Sequence, residues 1–174
     1  MPYHSDHLNV YLRDFTYMTT ITPKYSSNSR LEMLNFITNH PKASLEVGCR
    51  EGLFSHAIKD KYGDVSTWGV EIDQSVSRDS ALGNLDNVID EPYPECIKKL
   101  HDMKFDLVIF NDVLEHIYDP WNALTETKRI LSENGVVVIS LPNIRYKGVL
   151  KGLIFHDDFK YTSSGILDIS HIHR

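Results

Sequence analysis

The sequence predicts an α/β domain, a doubly wound parallel sheet with helices on both faces. Three observations carry that prediction. Short runs rich in Val and Ile recur along the chain and are apolar almost throughout, the mark of strands buried on both faces. Helical stretches with their own start and stop signals alternate with those runs, as βαβ units require. The chain has 174 residues, 41% of them hydrophobic, the size and composition of one ordinary globular domain. Right-handed crossovers then give a doubly wound sheet, which binds ligands at the carboxyl ends of the strands, where the strand order reverses.

Residues 1–28 are polar and Ser/Thr-rich, with Tyr3, Tyr11, Phe15, Tyr17 and Tyr25 scattered without a period; an irregular arm is expected. Ser29-Arg30-Leu31-Glu32 has capping-box spacing, so a helix is expected to start there. Leu31, Leu34 and Ile37 would form its apolar stripe, with Pro41 just beyond its end. Five strands are expected, at 43–47, 67–72, 87–89, 106–111 and 136–141. Helices are expected at 53–62 with Gly63 closing it, in a short stretch after Asp73, at 94–101 and at 120–131. The last has Asp119 as N-cap and Pro120 at its first position, where a missing N–H costs nothing. Trp121, Leu124 and Leu131 are expected to face the core, and Asn134-Gly135 to turn into the fifth strand. Residues 1–28 are thus expected to form an arm, 29–143 the ligand-binding core and 144–174 a substrate-side cap segment of the same domain.

Composition excludes several classes. There are 18 basic and 24 acidic side chains, a formal charge of −6, which argues against nucleic acid as a partner. No apolar run approaches the ~20 residues of a membrane span, and no signal pattern opens the chain, so a cytoplasmic location without membrane association is expected. Cys49 and Cys96, the two cysteines, suggest neither a disulfide framework nor a zinc motif.

The chemistry concentrates at the first strand. Leu45-Glu46-Val47-Gly48-Cys49-Arg50-Glu51-Gly52-Leu53-Phe54 runs from a buried strand through a two-glycine loop into a helix. Gly48 permits the tight turn and Gly52 a close approach. Glu71, at the tip of the second strand, can accept hydrogen bonds from both ribose hydroxyls of a nucleoside lying across the strand ends. A dinucleotide site needs G-x-G-x-x-G under its pyrophosphate; Gly48-Cys49-Arg50-Glu51-Gly52 does not fit, and Glu46 and Glu51 are the wrong sign for a diphosphate. S-adenosyl-L-methionine carries an ammonium, a sulfonium and no phosphate, so acids suit it.

Here the residues resemble a family. Glu46 through Gly52 is similar to the glycine loop of class I S-adenosylmethionine-dependent methyltransferases, [D/E]-x-G-x-G-x-G. Trp68-Gly69-Val70-Glu71-Ile72-Asp73, Phe105 through His116, and Asp119-Pro120-Trp121 through Pro142-Asn143 resemble that family's later motifs, in order. The resemblance implies a Rossmann-like methyltransferase fold with the strand order 3-2-1-4-5. It implies that Glu46 lies near the methionine amino group, that Gly48 and Gly52 pass under the cofactor, that Glu71 binds the ribose and that Ile72 walls the adenine. Asp90 would meet the adenine amino group, and the Asn111 backbone the methionine moiety. Arg50 stands where the middle glycine is usual. The family's sheet carries two further strands, whereas five are accounted for here, so a C-terminally truncated sheet is expected. Gly165-Ile166-Leu167-Asp168-Ile169-Ser170-His171 resembles a segment of the subset acting on sugars or other small polar acceptors. The implied function is methyl transfer to a small-molecule substrate, with an oxygen of a sugar-like molecule as the leading acceptor.

An oxygen acceptor needs a base, and His116, Asp168 and His171 are the catalytic candidates. Asp168, His171 and His173 are ligands by type, but no second cluster of definite spacing completes a metal site, so no metal is expected. Residues 144–167 mix Arg145, Tyr146, Lys147, Lys151, Phe155, Phe159 and Tyr161, a substrate-side cap or a plain surface helix. Two other functions remain open: a nicotinamide-dependent oxidoreductase, and a methyltransferase-like binding module without activity. The fifth strand is apolar, free of charge and proline, and outermost; such an edge templates pairing. Either residues 144–174 cover it or a second copy pairs there as a homodimer.

Overall fold

The computed structural model describes residues 30–173 apart from positions 75, 77 and 164. The expected N-terminal arm and Ser29 of the capping box lie outside them. Five strands form one sheet in the order β3-β2-β1-β4-β5, all neighbours parallel. They are β1 (Ala43–Val47), β2 (Ser66–Val70), β3 (Asn87–Ile89), β4 (Phe105–Asn111) and β5 (Leu131–Ser140). Helices α1 (Leu53–Tyr62), α2 (Arg78–Leu82), α3 (Ile97–Leu100) and α4 (Pro120–Ile130) make the crossovers, and α5 (Lys147–His156) follows β5.

The central strand shows why the sheet is covered twice. In β4, Val108 and Phe110 pack with Leu45, Tyr93, Ile97, Ala123 and Ile130 on one side. Leu107 and Ile109 pack with Met33, Phe54, Ile58 and Val138 on the other. Successive side chains of a strand point to opposite faces, so an unbroken apolar run is buried only when helices cover both. Each such side chain contributes about 1.5–3 kcal/mol by leaving water.

Four local expectations need correction. Residues Leu31–Phe36 form a 3-10 helix rather than an α-helix, entered through Arg30 in the left-handed region. Glu32 makes an ion pair with Arg30 at 3.3 Å, and Met33 and Ile37 are the buried positions. On α4, Trp121 is 78% exposed; the core face is Ala123, Thr127 and Ile130, with the Thr127 hydroxyl 2.7 Å from that of Tyr93. Leu131 belongs to β5, where it pairs with Phe105 before the register jumps to Leu107 opposite Val136. Residues 132–135 are looped out at that jump, so the Asn134-Gly135 turn interrupts the strand rather than preceding it. The α4 start is as expected: Asp119 accepts from the Asn122 N–H at 2.9 Å, with Pro120 at the first turn.

β5 is the outer strand on its side. None of the α5 residues is buried. Among the described residues, no helix is long and apolar enough to cross a membrane.

Candidate functional site

The carboxyl ends of β1, β2 and β4 converge on the glycine loop. Its backbone is left-handed at alternate positions: Gly48 at φ +70°, Arg50 at +46° and Gly52 at +74°. The Gly48 and Cys49 N–H groups donate to the Val70 carbonyl at 2.8 and 3.1 Å, which folds the loop back over β2. A Cβ at Gly48 would lie 2.6 Å from Val113 Cγ2, and one at Gly52 would lie 2.7 Å from Leu85 Cδ1. Both glycines therefore meet two demands at once, conformation and space. Arg50 meets only the first, at the cost of a strained αL residue.

The Arg50 side chain leads outward. It is 61% exposed, with Nε 3.7 Å from Glu51 Oε2. Its backbone N–H donates to Glu71 Oε2 at 2.9 Å, while Glu71 Oε1 accepts from the Asp73 N–H at 2.7 Å. Each carboxylate oxygen has about two acceptor positions, so Glu71 retains capacity for two hydroxyl donors. Ile72 beside it is 64% exposed, bare apolar surface next to an acceptor. Arg50→Gly is expected to leave cofactor affinity unchanged or improved and to stabilise the fold by up to about 1 kcal/mol, because the αL penalty outweighs a surface ion pair. Calorimetry with S-adenosylhomocysteine and urea unfolding check this. A large loss of affinity would show that the guanidinium holds the cofactor.

Glu46 is turned to the first turn of α1. Its carboxylate is 4% exposed, and Oε2 accepts from Ser55 Oγ at 2.5 Å and the Ser55 N–H at 3.1 Å. Burial pushes its pKa up to about 7, against the opposing pull of the Ser55 hydrogen bonds. The sequence singled out the acid but not Ser55, its partner from α1. Cys49 is buried and its thiol pushed far up by burial, so it fills space. Asp90 is paired with the Arg78 guanidinium, which occupies the carboxylate that the resemblance would give to adenine. Both amide atoms of Asn111 are buried with no hydrogen-bond partner among the described residues, while the Asn111 backbone continues the ladder beside Ser140.

Beyond β4 the chain makes a left-handed turn at Asp112, φ +55°. Its carboxylate accepts from Ser140 Oγ at 2.9 Å and pairs with Arg30 Nε at 3.2 Å. Arg30 is a second residue that sequence reasoning missed. The 3-10 turn Leu114–His116 then meets the C-terminal segment: the Glu115 carbonyl accepts from the N–H groups of Ile172 (2.8 Å) and His173 (3.2 Å). The His116 and His171 rings lie edge to face, centroids 4.8 Å apart. Asp168 Oδ1 accepts from Ser170 N–H and Oγ at 2.8 and 2.7 Å, and those bonds hold its pKa below the usual carboxylate range. All three catalytic candidates are thus brought to one place, together with Glu115.

A tight αL loop, an acceptor carboxylate at the end of the next strand and an exposed apolar neighbour are the parts that could hold a nucleoside. The chain belongs to the methyltransferase domain family, whose model matches residues 22–164. It is 27% identical over 126 residues to a ubiquinone biosynthesis O-methyltransferase of Hydrogenovibrio crunogenus, covering 70% of this chain and 52% of that protein. It is 30% identical over 131 residues to the protein of that name from Idiomarina loihiensis, covering 70% and 53%. The chain thus spans about half the length of these curated relatives. Among solved structures, the plantazolicin methyltransferase BpumL with SAH matches at a TM-score of 0.58 and 15% identity, over 82% of this chain and 53% of that one. A SAM-dependent methyltransferase from Archaeoglobus fulgidus matches at 0.56 and 23%, over 67% and 52%. Likeness at these identities concerns the fold: five parallel strands in this order with flanking helices. S-adenosylmethionine is the cofactor of the family.

Proposed function

We propose that this chain transfers a methyl group from S-adenosylmethionine to a hydroxyl oxygen of a small polar acceptor, sugar-like in its array of hydroxyls. The observation that carries the reading is the gathering of His116, Asp168 and His171 beside the β4 turn, on the same edge of the sheet as Glu71 and the glycine loop. Glu71 holds the ribose hydroxyls, and Ile72 covers one face of the adenine. Gly48 and Gly52 keep the loop low enough for the cofactor to lie across it. S-adenosylmethionine, when bound, supplies an activated methyl group. The chain's own residues therefore have two tasks: aligning the acceptor oxygen and taking up its proton. His116 is exposed and its Nδ1 lies 3.3 Å from the Ser170 carbonyl, so that nitrogen donates and Nε2 carries the lone pair. His171, at 8% exposure, backs it, and Asp168 fixes the segment that carries both Ser170 and His171.

The relatives named for O-methylation in ubiquinone biosynthesis support an oxygen acceptor; the sugar-like acceptor rests on the resemblance of residues 165–171. The test is transfer of labelled methyl to a panel of hydroxylated acceptors, with sugar nucleotides and phenols as separate arms. Turnover on a sugar arm that falls at least 100-fold in His116→Ala, with S-adenosylhomocysteine affinity unchanged, is the expected result. Turnover confined to phenols would move the acceptor class. Tight cofactor binding with no turnover on any arm would favour the inactive binding module.

A further inference from the structure

We propose that Glu115, His116 and His171 form a binding site for a divalent first-row transition ion, of which Zn²⁺ is the best fit. The proposal rests on the preceding reading for its place on the acceptor side. One ligand atom from each residue lies within 4.8 Å of the other two.

The carboxylate states the need for a cation. Glu115 is 2% exposed, and among the described residues neither of its oxygens has a hydrogen-bond donor from another residue. A buried carboxylate without hydrogen bonds is costly. The nearest polar atom with which it forms an ion pair is His171 Nε2, 3.9 Å from Oε1, beyond hydrogen-bond reach. The imidazoles are oriented for ligation. His171 Nδ1 lies 3.2 Å from the Ile166 carbonyl and His116 Nδ1 lies 3.3 Å from the Ser170 carbonyl. A carbonyl only accepts, so both Nδ1 atoms carry hydrogen. In the neutral rings both Nε2 atoms then carry lone pairs, and one of them faces the carboxylate. A second partner fixing the tautomer of a ligating imidazole is the arrangement metal sites use.

Two imidazoles and one carboxylate are the donor set of catalytic zinc, and imidazole selects against Mg²⁺ and Ca²⁺. Three protein ligands leave a position open. It would lie towards His116, the exposed member of the set. With the ion bound, His116 Nε2 would be a ligand and no longer the base; an acceptor hydroxyl at the open position would instead lose its proton to water, its electron pair staying on oxygen, because the ion's charge stabilises the alkoxide. The ion would also tie the 165–173 segment to the β4 turn, adding to the two backbone bonds received by the Glu115 carbonyl.

The test is titration of the metal-stripped chain with Zn²⁺, and with Co²⁺ followed by its visible absorption, both without cofactor or acceptor. One ion per chain with nitrogen and oxygen ligation is expected. Glu115→Gln and His171→Ala should each weaken binding at least 100-fold, while His56→Gln, on α1, leaves it unchanged. Should Glu115→Gln fail to fold, His116→Ala removes the exposed ligand without disturbing the buried pair and should weaken binding comparably. Equal affinity in the wild-type chain and the His116 and His171 variants would overturn the site. So would no binding at millimolar Zn²⁺, which would mean that a proton shared between Glu115 and His171 satisfies the carboxylate. Calorimetry with S-adenosylhomocysteine on the same stripped chain separates the failures: cofactor binding without zinc sinks only this inference, and zinc binding without cofactor sinks only the methyltransferase reading.

Discussion

Glu71→Ala is expected to weaken S-adenosylhomocysteine binding by about 1.5–3 kcal/mol, the range for hydrogen bonds to a charged group. The carboxylate already accepts the Arg50 and Asp73 N–H groups, so the substitution also frees two loop donors. Both bonds are exposed, and water replaces the carboxylate there with little loss of stability. The effect should therefore fall on affinity rather than on the unfolding midpoint, and calorimetry beside urea denaturation separates the two. An unchanged dissociation constant in a folded variant would remove the ribose from β2.

Gly52→Val should show the opposite division, a loss of fold stability of about 2–5 kcal/mol, from αL strain together with overpacking. Its Cβ would lie 2.7 and 2.8 Å from Leu85 Cδ1 and Cγ and 3.2 Å from Asn84 Cβ. Leu85 is 2% exposed and has little room to yield. Gly63→Ala is the comparison: φ is +82°, but nothing lies within 4 Å of the new Cβ. Strain alone remains there, at φ +82° and ψ −122°, about 1–3 kcal/mol. If the two variants unfold at the same urea concentration, packing under the loop is not what demands glycine at position 52.

Much of the fold was legible because single-residue signals agreed with burial. β1, β3 and α1 have the expected bounds, since apolar runs ended there at Gly, Pro or polar residues. The strand order came with the family resemblance, because crossover handedness alone says only that each βαβ unit turns one way. Trp121 misled because size was taken for burial. The helix turns Ala123, Thr127 and Ile130 inward instead, and threonine can be there because its hydroxyl meets Tyr93. The start of β5 was invisible, because the register jump opposite Asp106 depends on the Ser132 hydroxyl donating to that aspartate at 2.9 Å. In the site, the two glycines marked the turn and the close approach, whereas the left-handed backbone of Arg50 was not signalled by its residue type. The Glu115 cluster could not be read from the sequence. Its members come from the β4 turn and from a segment more than 50 positions later, and only folding shows that a buried carboxylate meets two imidazoles.

The central claim is that the ends of β1 and β2 hold S-adenosylmethionine rather than a dinucleotide. Titration calorimetry of the chain with S-adenosylhomocysteine and, separately, with NAD tests it most directly. One site for S-adenosylhomocysteine that a large excess of NAD does not displace is the predicted result. Saturable binding of NAD with none of S-adenosylhomocysteine would contradict the account.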